Sequence, residues 1–207
     1  MVIAQSQKSG KGTSDGVVSE MAVFFGVIPG HEEQLRAAVQ RLTDALGQVD
    51  PQATLKTGLR DSRFVIFDNG QRLVWATTFE TDWDPYLDDA LLVVGVQHFI
   101  DWMQHTTEAD ELRAWMGQSG GVERLGNPGS SEFENNVRAT SGGLKAILQR
   151  HQVPAAAYWN ALADQTVPQI RKAEQVQEAF QQVLDDPAAP QALQQPVLKP
   201  LLEQAAD

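Results

Sequence analysis

The stretch RFVIFDNGQRLVWATTF, residues 63–79, decides the fold. At its centre Asn69-Gly70 is the preferred pair for a two-residue type I′ turn, because both residues tolerate positive φ. Apolar, β-branched and aromatic residues flank the turn on both sides, so the stretch reads as a β-hairpin. A two-residue turn fixes the register: Asp68 faces Gln71, Ile66 faces Leu73 and Phe64 faces Trp75. Side chains alternate along a strand. One face therefore carries Phe64, Ile66, Leu73 and Trp75, and the other carries Arg63, Val65, Phe67, Arg72, Val74, Ala76 and Thr78. The second face is too apolar for open water, yet it holds two arginines. An antiparallel sheet ordinarily leaves one face solvated. Here both faces need a cover, one of helices and one of another kind.

Upstream, Met21–Ile28 is an almost unbroken apolar run ended by Pro29-Gly30, which predicts a strand buried on both faces. Leu35, Val39, Leu42 and Leu46 then recur at helical spacing, with Glu32 and Glu33 in the favourable first turn and Gly47 and Pro51 as stops. His31, at the strand-to-helix junction, reads as a polar turn residue. Downstream, Asp84-Pro85 reads as an N-cap and first helical residue, and Leu87, Leu91 and Val94 form the inner stripe of that helix. Gly95 breaks it, and further helices are expected over 96–105 and 109–116, with a short one around Leu144, Ile147 and Leu148. Residues 117–131 are rich in Gly and Ser and read as a loop. Pro154–Ala161 reads as a short strand, and Thr166 with Gln169 as a capping box. The helix behind that box has an inner stripe of Ile170, Ala173, Val176, Phe180 and Leu184.

The order β-α-β-β-α-β-α with a central hairpin is that of an α+β, ferredoxin-like antiparallel sheet with helices on one face. Residues 1–20 are expected to be a disordered leader, 21–185 the ferredoxin-like domain with extra C-terminal helices, and 186–207 a short helical tail. Homodimerisation through the uncovered sheet face is the simple solution to its apolarity.

Composition narrows the function classes. The absence of cysteine excludes disulfides, Cys-ligated zinc and a thiol nucleophile. A formal net charge of −11 argues against a nucleic-acid partner, which needs a basic surface. Apolar runs such as Ala90–Val96 are far below the roughly 18 residues of a membrane span, so no membrane partner is expected. With no apolar signal core at the start, a soluble cytoplasmic protein is the expectation. Gly10-Lys11-Gly12-Thr13 lacks both the spacing and the preceding strand of a phosphate loop.

The segment AVFFGVIPGHEEQLRAAV (22–39) resembles the opening strand and helix of the dimeric α+β-barrel proteins. These include antibiotic-biosynthesis-monooxygenase-like, chlorite-dismutase-like and dye-peroxidase-like groups. RDSRFV (60–65), RLVWAT (72–77) and DWDPYLDD (82–89) resemble an uncharacterised bacterial branch of that superfamily. In that branch a strand begins His-x-x-Arg-Phe, and an Asp-Gly precedes the later tryptophan. This chain has Arg60 at the histidine position and Glu80-Thr81 at the Asp-Gly. Asn160 through Leu184 is also similar to the branch, so the likeness extends over residues 21–185. It implies a barrel-like homodimer whose facing sheets enclose a cavity for a small organic molecule.

Within that frame Arg63 and Arg72 are candidate ligand-binding residues, able to hold an anionic or enolate group through paired donors. Phe67 and Val74, with Val65 and Ala76, supply an apolar wall. Tyr158 and Asn160 share one side of the last expected strand. The resemblance implies that Asn, Trp, Tyr and Arg of this kind bind a phenolic substrate and stabilise its anion. The competing reading makes the arginines structural and the aromatics core.

His98, Asp101 and His105 stand at i, i+3 and i+7, on one face of a helix, and are the candidate metal set. The plainer reading is the polar face of an amphipathic helix, and no metal is expected. The absence of a cofactor is likewise the first expectation. Haem, with His98, His105 or His151 as axial ligand, is the alternative that the resemblance implies. Asp82, Asp84, Asp88 and Asp89 lack the ligand order of a calcium loop. No Ser-His-Asp order, helical His-Glu-x-x-His or dinucleotide glycine set is present. The leading expectation is thus a small-molecule-binding homodimer, extended to an oxidative monooxygenase-like or peroxidase-like enzyme. The alternative is a non-enzymatic structural or interaction module that docks a partner through its Gln-rich C-terminal helices.

Overall fold

The computed structural model describes residues 12–120, 125–126 and 129–205. The chain divides into two compact units, Met1–Thr166 and Val167–Asp207. The first is an α+β unit. It contains β1 (Ser14–Asp15), β2 (Val18–Gly26), α1 (Glu32–Gln48), α2 (Pro51–Thr57), β3 (Leu59–Phe67) and β4 (Arg72–Phe79). After these come α3 (Trp83–Val94), α4 (Val96–Met103), α5 (Ala109–Ser119), α6 (Ser131–Thr140) and α7 (Gly142–Arg150). The second unit contains α8 (Val167–Leu184), α9 (Ala189–Leu193) and α10 (Lys199–Ala205).

The hairpin keeps the expected register, but its turn is wider than two residues: Asp68, Asn69 and Gly70 all have positive φ, 54°, 52° and 82°, and the ladder ends at Phe67 and Arg72 without the expected Asp68–Gln71 pair. The Gln71 amide donates to the Asp68 carbonyl at 3.1 Å. Phe64 pairs with Trp75 and Ile66 with Leu73, the register expected from the turn. The sheet is four-stranded and antiparallel, in the order β1-β2-β4-β3. Its covered face consists of Met21, Val23 and Phe25 from β2, Leu73, Trp75 and Phe79 from β4, and Phe64 and Ile66 from β3. Leu35, Ala38 and Leu42 of α1 pack into the same core, as do Tyr86, Leu87 and Leu91 of α3 and Phe99, Trp102 and Met103 of α4. Trp75 lies at its centre. It stacks on Phe64 at 5.7 Å, meets Phe99 and Trp102 edge-on, and donates its Nε1–H to Ser62 at 2.9 Å. Burial pushes the Tyr86 hydroxyl far above its usual range, so it stays protonated and shares a 2.7 Å hydrogen bond with Thr77.

Several expectations need correction. β2 is not buried on both faces: from Met21 onward every second residue, Ala22 and Phe24 among them, is only half-buried. Residues 12–20 are not a loose leader, since they contribute β1 and the buried start of β2; residues 1–11, with the Gly10-Lys11 part of the rejected phosphate loop, lie outside the described residues. The expected strand 154–161 is absent. Phe24 N–H bonds the His151 carbonyl and Val153 N–H bonds the Ala22 carbonyl, both at 2.9 Å, but the pairing stops there. Pro154 has no N–H to continue it. The Ala155 amide goes to the Glu20 carboxylate instead, and the backbone of Glu20 is already paired with Gly12 and Thr13. Two segments thus share the outer edge of β2.

Helix α3 begins at Trp83 with Asp82 as the preceding residue, so Asp84 is not its cap. Helix α6 was not anticipated, although Ser130 caps the Phe133 amide and Phe133 and Val137 bury one side. Part of the expected loop 117–131 is helical, and residues 121–124 and 127–128 of it lie outside the described residues. The units divide at Thr166, not at 185, and no residue of α8 is buried.

Replacing Trp75 with Ala should destabilise the fold by about 3–5 kcal/mol, through lost burial and the cavity left behind. Urea denaturation measures this. A loss under about 1 kcal/mol would show that Trp75 is not the centre of the core.

Candidate functional site

The open face of the sheet is built by the register. Arg63 lies opposite Ala76, which lies opposite Ala22; Val65, Val74 and Phe24 form the next row, and Phe67, Arg72 and Gly26 the last. Val65 is 45% exposed, while Phe24, Phe67, Val74 and Ala76 are half-buried. Phe24 and Phe67 meet edge-to-face at 6.5 Å, and the Arg72 guanidinium lies 5.4 Å from the centre of the Phe67 ring. The four residues separating Arg72 from Ala76 place the two arginines about 13 Å apart along the strand direction. Every other arginine among the described residues has a carboxylate partner: Arg36, Arg41, Arg60, Arg113, Arg138, Arg150 and Arg171. Arg63 and Arg72 have none among those residues.

Tyr158 and Asn160 do not join this face at Arg72. Asn160 donates to the Tyr158 hydroxyl at 3.3 Å, and its own amide N–H bonds Asp15 at 2.9 Å. Its side-chain oxygen accepts from Leu162 N–H at 3.0 Å and from Arg60 at 3.2 Å. Arg60 is the organising residue there. It forms an ion pair with Glu80 at 2.7 Å, with side chains only 9% and 6% exposed, and it donates to the Leu162 and Gln165 carbonyls. Arg60 therefore fastens the 160–165 segment to the end of the sheet remote from the hairpin turn, seven residues along β3 from Phe67. The sequence marks Arg60 only through a resemblance, as standing where the resembled branch has histidine; the bulge between Leu59 and Asp61 has no sequence signal.

The candidate metal trio is separated. His105 Nδ1 lies 3.1 Å from His31 Nδ1, Asp101 is tied to Arg41 at 2.7 Å, and His98 lines a cleft of about 340 Å³ with Arg41, Asp101 and Gln104. Among the described residues no group of three or more His, Asp or Glu side chains is placed to hold a metal. The Arg41 hydrogen bond holds the Asp101 carboxyl below the usual range. His105 is also held low, chiefly because burial penalises the imidazolium; His31 and Arg41 lower it further, and Asp101 opposes them. His151 stacks on Phe25 at 4.9 Å on the covered side, with Glu108 at 3.4 Å. The residues of the open face include no imidazole, so they do not fit an axially ligated haem. The acidic cluster is consumed locally: Lys145 pairs with Asp88 at 2.8 Å and Asp84 at 3.4 Å, and Arg138 with Asp89 at 2.8 Å.

In the second unit, α8 and α10 flank a groove of about 480 Å³ that includes Val176, Phe180 and Leu201. No helix among the described residues is long and apolar enough to cross a membrane. Comparison of the chain with protein-family models, curated proteins and solved structures gave no match.

Arg60→Met breaks the buried ion pair with Glu80 and so should destabilise by about 3–5 kcal/mol, and adding Glu80→Met should recover part of the loss. Urea midpoints of the single and double variants test this, and a neutral single variant would overturn it. His105 gives a second expectation. The unfolded chain takes up its proton near 6.5, whereas the fold does so only at lower pH. Stability from this group is full above that pH and is lost as pH falls through the folded value. Denaturation at about pH 7.5 and about pH 5.5 should show the fall, reduced in His105→Gln; equal falls in both proteins would remove His105 as the cause.

Proposed function

We propose that this chain is a ferredoxin-like subunit of the dimeric α+β-barrel type, and that two copies close their open sheet faces over a small organic anion. One observation carries the reading: in a chain of net charge −11, the two arginines without a carboxylate partner among the described residues lie on a largely apolar, half-exposed sheet face. Burial of Phe24, Val65, Phe67 and Val74 against a second copy gives the association its driving force. Arg63 and Arg72 then meet the ligand's charge in a place shielded from water, where charge-assisted hydrogen bonds are strongest. The order β2-α1-β3-β4-helices supports the subunit type, with residues 151–153 beside β2 where the last strand of that fold runs. An oxidative step is the extension that the resemblance implies. A cytoplasmic location belongs to the same reading.

The alternative, a protein-interaction module, has the groove along α8 in its favour. One set of variants separates the two. The wild type should sediment as a dimer, and Val65→Asp as a folded monomer. The aromatic sulfonate anilinonaphthalene sulfonate should bind the wild type and weaken about tenfold or more on loss of Arg63 or Arg72. Binding that ignores both arginines but is lost in Val176→Asp favours the interaction module, and a wild-type monomer at tens of micromolar overturns the dimer.

A further inference from the structure

His31 and His105 are 74 residues apart in sequence, and their Nδ1 atoms lie 3.1 Å apart. The backbone holds both in place. The Ile28 amide bonds the His105 carbonyl at 3.0 Å, the His31 amide bonds the Ile28 carbonyl at 2.9 Å, and the Thr107 amide bonds the Gly26 carbonyl at 2.9 Å. Helix α1 starts immediately after His31, and α4 ends two residues before His105. The Arg41–Asp101 pair ties these two helices together one turn further along α4. The imidazoles thus project from fixed ends of packed elements and not from a free loop.

Two facing Nδ1 atoms have two uses. One nitrogen can donate a proton to the other, or both can donate lone pairs to a cation. With metal–nitrogen bonds of about 2.0–2.1 Å, nitrogens 3.1 Å apart subtend about 95–102° at the ion, between octahedral and tetrahedral values. We propose that His31 and His105 form a two-imidazole chelate for a divalent late transition-metal ion, whose remaining positions are filled by water or a small anion. Imidazole donors suit zinc, nickel and copper. Atoms balance without an added reactant. In the neutral pair one ring carries its proton on Nδ1, and on metal binding that proton moves through solvent to Nε2, so both Nδ1 atoms become donors. Asp101 stays with Arg41 and is not a ligand. With two protein donors the site is of the open kind, bridging the β2–α1 junction and the turn after α4.

The test uses the full chain without an oligohistidine tag. Isothermal titration with zinc should give one ion per chain. Either His31→Gln or His105→Gln should weaken binding by about tenfold or more, whereas His98→Gln and His151→Gln should leave it unchanged. Copper(II) bound to the wild type should show coupling to two imidazole nitrogens in its paramagnetic resonance spectrum, a readout that needs no variant to fold. No binding below millimolar zinc, a spectrum with one nitrogen, or binding that survives His31→Gln overturns the chelate and leaves the pair as a hydrogen bond.

Discussion

The alternation of β4 governs the rest of the molecule. Leu73, Trp75, Thr77 and Phe79 are buried on one side, while Val74 and Ala76 are half-buried on the other. Because β4 lies between β2 and β3, its two faces set those of its neighbours. The covered side receives α1, α3 and α4, and the aromatic rings of Phe25, Phe64, Trp75 and Trp102 lock together beneath them. A slip of one residue in the hairpin would bring Arg72 and Arg63 under the helices and push Trp75 into water. The turn at Asn69-Gly70 therefore selects which arginines and which aromatics ever meet solvent.

The same sheet explains why the last part of the first unit is irregular. A free β2 edge invites a partner strand. Residues 151–153 take the middle of that edge, and residues 12–15 take its start, with the Glu20 carboxylate receiving the amides of both Thr13 and Ala155. Neither segment has room for a long ladder. The chain from 154 to 165 is held by side chains instead, through Asn160 to Asp15 and through Arg60 to the Leu162 and Gln165 carbonyls. Local side-chain bonds replace strand pairing where the edge is already taken.

Much of this was legible in the sequence, for reasons tied to range. The hairpin register followed from two turn residues, and the breaks at Gly95 and between α1 and α2 followed from a glycine and a proline, all local signals. Helix α6 also carries local signals, since Ser130, Phe133 and Val137 form a cap and a stripe. What could not be read is long-range choice. Nothing local says that residues 12–15 compete with 151–153 for one edge, that Asp101 pairs with Arg41, or that His31 meets a histidine 74 residues away. A helical spacing of i, i+3, i+7 places three side chains on one face, and the neighbour on that face decides what each of them does.

Charge shows the same logic at the scale of the whole chain. A protein with eleven excess negative charges offers most of its cations a carboxylate, and exposed pairs of this kind form readily although each contributes little stability. The seven paired arginines follow that expectation. Arg63 and Arg72 depart from it, and their strands give the reason: the residues that share their face are Val65, Phe67, Val74, Ala76 and Phe24, which have no charge to offer. Asp61, the nearest acid along β3 on that side, is hydrogen-bonded by Thr78 across the ladder. The alternation thus sets two guanidinium groups around an apolar patch of Val65, Phe67, Val74 and Phe24, with no carboxylate partner for either among the described residues.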